Sequence, residues 1–188
     1  MTNFEAILSL LLGISLAAAV GFRIFLPLLI MSLASMSGYL SLSSGFEWIG
    51  TFPAFFVFLV AALFELGAYF IPFVDNLLDT IAGPTAVVAG TVVMASSIVE
   101  MEPLLKWTLA IIAGGGAAGV VQSLTTIIRG TSSLSTGGLG NPVVTTTETA
   151  ASIGISTLAI LFPMFVGIIV LILLIWAVRK IYKKFNSK

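Results

Sequence analysis

The sequence predicts an all-α fold: a polytopic transmembrane helix bundle with broken or re-entrant helices, arranged as two structurally similar halves. Three observations lead there. The 188 residues are 59% hydrophobic and 9% charged, against about 25% charged in an ordinary soluble domain. Eight basic and eight acidic residues, with a mean hydropathy of +1.17, are too few charges to coat a water-soluble globule of this size. Apolar stretches long enough to cross a bilayer recur along the chain. Glycine, proline and polar residues interrupt several of them at depths where one straight helix would not end. A single transmembrane domain is read over residues 1–188, with approximate halves 1–100 and 101–188 and a basic tail at 179–188.

The elements follow in order. The apolar stretch from Phe4 to Gly38 would span roughly 52 Å as one helix, against a hydrocarbon core of about 30 Å. Gly21-Phe22-Arg23, reinforced by Pro27, divides it into a helix over 4–20 and a short, half-helical or re-entrant piece over 24–37. The N-terminal stretch lacks a basic residue before Arg23, so it reads as a retained membrane helix rather than a signal peptide. Residues 39–51 form a polar connection, with Tyr39 and Trp48 suited to the headgroup belt. Pro53 to Pro72 frames the next helix, residues 73–83 break it, and Pro84 to Val99 makes another span.

Glu100-Met101-Glu102-Pro103 is a loop. Leu104 to Gln122 is the following span, and its Gly114-Gly115-Gly116 run weakens helix by about 1 kcal/mol per glycine while permitting close backbone approach. Residues 123–141 read as a short helix and then a Gly/Ser-rich irregular loop. Asn141 as N-cap and Pro142 at the first helical position start the next helix, with Gly154 or Pro163 as the kink before a last span ending near Val178. Arg179, Lys180, Lys183, Lys184 and Lys188 place five of the eight basic residues at the C-terminal end, which the positive-inside rule puts in the cytoplasm. The halves share an order of parts: small-residue helix, polar-broken segment, Pro-started helix with a buried Glu, and last span. Inverted halves of this kind recur in transporters built on discontinuous helices.

The composition also excludes functions. With no net charge and no basic surface, nucleic-acid binding has no electrostatic footing. Without cysteine or histidine there are no disulfides, no thiol chemistry, no usual haem or zinc ligands, and no Ser-His or Cys-His nucleophile. Asp75 and Asp79 lie on one helix end, not on facing helices as a two-aspartate protease requires. No catalytic residue, metal site or cofactor is expected, and the chain reads as a non-enzyme.

Six charges remain away from the tail and the obvious loops: Arg23, Glu65, Asp75, Asp79, Arg129 and Glu148. A charge at the centre of a membrane helix costs about 2.5–3.5 kcal/mol, so these must pair, neutralise, reach an interface or line water. Glu65, deep in its helix, is either a proton- or cation-responsive carboxylate or a hydrogen-bonded tie to a neighbour. Asp75 and Asp79, four apart, share a face: either helix N-terminal acids or a cation or Arg site. Thr145, Glu148, Thr149, Ser152 and Ser156 form one polar stripe on the helix that Asn141-Pro142 opens, facing another helix or a water-filled path. Arg23 and Arg129, each expected in a broken segment, are partners for these acids or for an anionic ligand. Together Arg23, Glu65, Asp75, Asp79, Arg129, Asn141, Thr145 and Glu148 are the candidate intramembrane polar site.

The runs GFRIFLPLL (21–29), ELGAYFIPFVDNLLD (65–79) and TGGLGNPVVTTTE (136–148), with Arg129 between the last two, resemble the bacterial integral membrane family called domain of unknown function 4126. The resemblance covers nearly the whole chain, and the last run is its most specific part. Two places depart from the family pattern: Tyr69 and Phe70 replace an Asp-Lys pair, and Gly83 replaces an Arg. The resemblance implies a multi-pass bacterial inner-membrane protein and supplies no activity.

The leading functional expectation is a small transporter or channel with an intramembrane site of carboxylates and arginines. The alternatives are a lipid or lipid-phosphate flippase or scramblase, and a non-transporting structural or assembly subunit. The expected partners are the lipid bilayer, a small solute, ion or lipid ligand, and a second copy of the chain.

Overall fold

The computed structural model describes residues 3–68, 72–99 and 101–186, with the side chains at 3, 72–80, 181 and 184–186 excepted. Among the described residues the fold is all-α. Its helices are α1 (Asn3–Val20), α2 (Phe25–Met36), α3 (Phe52–Ala68), α4 (Pro72–Ser97), α5 (Pro103–Thr136), α6 (Asn141–Leu161) and α7 (Pro163–Asn186). A short 3-10 turn, Glu47–Gly50, precedes α3. By length and composition α5, α6 and the Pro163–Lys180 part of α7 can each cross a membrane.

The polarity of the molecule is inverted relative to a soluble protein. Phe165, Ile172, Leu173 and Trp176 of α7 face outward, while Arg23, Arg129, Glu148, Ser152 and Ser156 are buried. In water such an outer face would be an extended apolar patch; against hydrocarbon it costs nothing. Together with the spanning helices, this makes the chain a membrane protein.

Helix α1 is the centre of the bundle and packs against α4, α5, α6 and α7. Its last turn and a half, Leu16, Ala17, Ala18, Ala19 and Val20, is almost entirely sealed. The small residues there let neighbouring backbones close in. At Gly21 an added Cβ would lie 2.6 Å from the Ala118 carbonyl oxygen and 2.6 Å from Val121 Cβ. The same device joins α4 to α5: a Cβ on Gly90 would meet Ala118 Cβ at 2.5 Å, and one on Gly114 would meet Met94 Cβ at 2.4 Å.

The break after α1 falls at residues 21–24, where the Ala19 carbonyl accepts the amides of Phe22 (3.1 Å) and Arg23 (3.2 Å) as the helix ends. Pro27, in the first turn of α2, removes an amide that would have lacked an intrahelical partner there. Between α6 and α7 the break is at Phe162, immediately before Pro163; Gly154 stays within α6.

Four sequence expectations are corrected. Residues 73–83 do not break the chain: α4 runs unbroken from Pro72 to Ser97, with Pro84 in its interior. Thr85 offsets some of the local polarity by donating its hydroxyl to the Ile81 carbonyl at 2.7 Å. The segment 123–141 is not a short helix and irregular loop. Helix α5 continues to Thr136, and along it the hydroxyls bond back to the preceding turn: Ser123 to Gly119, Thr126 to Gln122, Thr131 to Ile127, and Thr136 to Ser132. Read as composition these residues signal a loop, but on an existing helix they satisfy themselves. A tight turn follows, with Gly137 and Gly138 at φ of 61° and 89°. The glycine run in α5 is accommodated as one π-helical turn, Ala110–Gly115, and π turns recur where a helix adapts to close packing or function. Finally, Gly140 rather than Asn141 holds the N-cap position of α6. Since α5 is continuous, the break after α1 has no counterpart at the equivalent point of the second half.

The connection after α2 is pinned to the far end of the bundle. The Ser43 amide donates to the Ser96 carbonyl at 2.8 Å, and the Lys106 ammonium donates to the Ser43 hydroxyl. Lys106 also lies 5.0 Å from the centre of the Phe46 ring. At the start of α5, the Glu102 carboxylate caps the amides of Leu104 and Leu105 at 3.2 and 3.1 Å.

The glycine contacts give a direct test. Gly90→Ala should lower stability by about 1–3 kcal/mol through overpacking, read as earlier unfolding in a detergent-denaturant titration. Gly67→Ala, where an added Cβ meets nothing within 4 Å, should leave the transition in place or raise it slightly.

Candidate functional site

The α1–α2 break delivers Arg23 into the interior of the bundle, where 1% of the residue is exposed. Its guanidinium reaches α6 three ways. Nε donates to the Thr149 hydroxyl at 3.3 Å, and Nη2 donates to the Thr145 carbonyl at 3.2 Å. The same Nη2 pairs with Glu148 Oε2 at 3.2 Å. Arg129 comes from α5 and grips the same carboxylate bidentately, with Nε donating to Oε1 at 3.1 Å and Nη2 to Oε2. Glu148 therefore bridges two arginines, and only 6% of its side chain is exposed.

Fork-to-carboxylate pairing of this kind is the strongest geometry available to a buried arginine. It fixes α5 and α6 relative to each other and draws the α1–α2 break onto both. Thr145, Ser152 and Ser156 of the polar stripe are buried. Ser152 donates to the Ala19 carbonyl at 3.1 Å, so the stripe faces the end of α1.

Glu65 adds a second carboxylate from a different direction. It sits on α3, yet its two oxygens accept the amides of Ile24 (2.8 Å) and Phe25 (3.0 Å) at the start of α2. No side chain of α2 caps that helix itself; the cap is supplied across the bundle. A carboxylate there also faces the positive end of the α2 dipole. Among the described side chains the site thus gathers two guanidinium and two carboxylate groups, with Glu65 partly exposed and the other three buried.

Of the candidate residues, Arg23, Glu65, Arg129, Thr145 and Glu148 come together in this way. Asn141 does not: its amide exchanges hydrogen bonds with Ser133 (3.0 and 3.4 Å) at the turn between α5 and α6. This explains its position off the N-cap, since its side chain is engaged laterally instead. Arg129 lies inside continuous α5, not in a broken segment as expected. The side chains of Asp75 and Asp79 lie outside the described residues; their backbone belongs to α4. Sequence reasoning missed the Ile24 and Phe25 amides because backbone donors leave no mark in composition. The available signal was Pro27 as an early-helix proline.

No group of three or more carboxylate, histidine or cysteine side chains capable of holding a metal occurs among the described residues. Beside Glu65, α2, α3 and α4 enclose a groove of about 440 Å³ lined mostly by apolar side chains.

A family model described as Domain of unknown function (DUF4126) matches residues 10–183, a span that contains every member of the charge cluster. The chain belongs to that family. No curated protein and no solved structure matches it. The DUF4126 match runs through the helix breaks at 21–24 and at Phe162, so the broken helices lie within the family region.

Charge balance predicts the stability order of cluster variants. Glu148→Met removes the carboxylate that Arg23 and Arg129 share and should cost about 3–5 kcal/mol, the usual penalty for breaking a buried pair. Arg129→Met/Glu148→Met removes one arginine together with the carboxylate it grips, so the double variant should be more stable than Glu148→Met alone. A double-mutant cycle by denaturant titration measures the coupling; additive losses would contradict a shared, balanced cluster.

Proposed function

We propose that this chain is a small transporter or channel whose intramembrane site is the cluster of Arg23, Arg129, Glu148 and Glu65. The observation that carries the reading is the place of the cluster: it is assembled where α1 ends and α2 begins, inside a bundle whose outer face is hydrocarbon-compatible. Structural ion pairs can be built between unbroken helices. Here a helix is interrupted, and its restart is held by Glu65 alone among the described side chains. Neutralising Glu65 would weaken its hold on two α2 amides and remove one negative charge from the site. Charge occupancy and the docking of α2, a helix of 12 residues, are therefore coupled, as alternating exposure of a site requires.

An assembly or structural role is supported by the bidentate Arg129–Glu148 pair, which suits a permanent tie. Lipid movement has less support. It needs a polar groove open to the bilayer, whereas the surface grooves at α2–α4 and α6–α7 are apolar-lined. The exposed Arg179, Lys180 and Lys183 at the end of α7 support a cytoplasmic C-terminus in a bacterial inner membrane by the positive-inside rule.

Reconstitution tests the transport reading. Proteoliposomes carrying the chain should dissipate an imposed proton or potassium gradient faster than protein-free liposomes, as reported by an entrapped dye. Glu65→Gln and Glu148→Gln should each change the rate by about tenfold or more, since each alters the charge balance of a desolvated site. Equal rates with and without protein would reject transport of these ions, and identical rates in both variants would remove the cluster from the mechanism.

A further inference from the structure

We propose that the groove ending at Glu65 is a binding site for an organic cation with an apolar body. The inference deepens the transport reading and rests on it for its physiological meaning, while the binding itself is a separate property. The groove encloses about 440 Å³ between the start of α2, the second half of α3 and the middle of α4, within the size range of small-molecule sites. Phe25, Ala61, Phe64, Ala82 and Thr85 line it, and Glu65 is the one ionisable group among its described lining residues.

The two arginines are not among the described residues that line this groove: the Arg23 side chain is wholly enclosed and that of Arg129 nearly so, and both pair with Glu148. Among the described lining residues, the charge a molecule entering from the apolar side meets is a carboxylate. Each Glu65 oxygen accepts one backbone amide, and a carboxylate oxygen has a second lone pair to offer. The carboxylate is thus held in place without being used up.

Charge and surface together select the ligand. An anion would be brought against a carboxylate in a poorly screened environment. A small hydrated metal ion would leave its water shell for the one carboxylate among the described lining residues. A cation whose charge is spread over or shielded by apolar groups loses little on desolvation. Its body replaces lipid against Ala61 and Ala82, and Phe25 and Phe64 in the lining are aromatic groups that a positive charge favours. The Thr85 hydroxyl, already bonded to Ile81, leaves the walls without a free polar demand that an apolar body could not meet.

Equilibrium binding of radiolabelled tetraphenylphosphonium to the full chain in phosphatidylcholine nanodiscs tests the site. The expected result is saturable binding at one site per chain, with tetraphenylborate, equal in shape and opposite in charge, failing to compete. Glu65→Gln should weaken binding by about tenfold or more. Because Glu65 also caps α2, Ala61→Trp serves as the second variant: it fills the groove, keeps the carboxylate, and should abolish binding while the unfolding transition is retained. Absence of saturable binding to the wild type overturns the proposal. So does equal competition by tetraphenylborate, which would mean a lipid-like cleft, or unchanged binding in Ala61→Trp. Binding without any gradient dissipation in proteoliposomes would keep this site and reject transport; ion flux without tetraphenylphosphonium binding would do the reverse.

Discussion

The arrangement depends on one carboxylate held by two arginines. Glu148 brings together Arg23 from the α1–α2 break and Arg129 from the last third of α5, and all three are nearly sealed from the surface. A guanidinium keeps its proton under all ordinary conditions, so it cannot enter hydrocarbon by neutralising itself. The chain must deliver an acceptor to each arginine, and the relative positions of α1, α5 and α6 follow from that demand. Hydrophobic burial cannot play this role in a bilayer, because lipid tails solvate apolar side chains as well as a protein interior does.

Two further features let the cluster exist. The first is close packing through small residues. Gly21, Gly90 and Gly114 bring backbones of α1, α4 and α5 near enough that a methyl group would overlap its neighbour. The second is the cap on α2. A helix starting inside a membrane has amides without intrahelical partners, and Glu65 of α3 satisfies two of them. One side chain therefore brings a carboxylate to the residues next to Arg23 and stabilises the start of a half-helix. These two duties link electrostatics to the position of α2, which is the physical content of the transport reading.

The parts that were legible in the sequence share a cause. The breaks at Gly21–Arg23 and before Pro163 could be read because glycine and proline act on the backbone locally. The polar stripe on α6 could be read because helical spacing places Thr145, Glu148, Ser152 and Ser156 on one face whatever they pack against. The misread segments share the opposite cause. Residues 73–83 and 123–136 look like interruptions by composition, yet α4 and α5 pass through them. Hydroxyl-to-carbonyl bonds within the helix and packing against neighbours override weak local preferences there. Asn141 looked like a cap, but Ser133, eight residues earlier, engages its amide.

By itself the sequence determined the class of molecule, the positions of two helix breaks, and the short list of charges that could not face lipid. Those conclusions rest on composition, local backbone chemistry and the cost of desolvation, none of which needs a partner to be known. Tertiary structure alone decided which charge meets which. Glu148 takes Arg129 from 19 positions away and Arg23 from about 125, and Glu65 turns to the Ile24 and Phe25 amides, about 40 residues away in the chain. Pairing across such separations is set by how helices cross, and backbone donors are the same at every residue, so no local pattern could have named them.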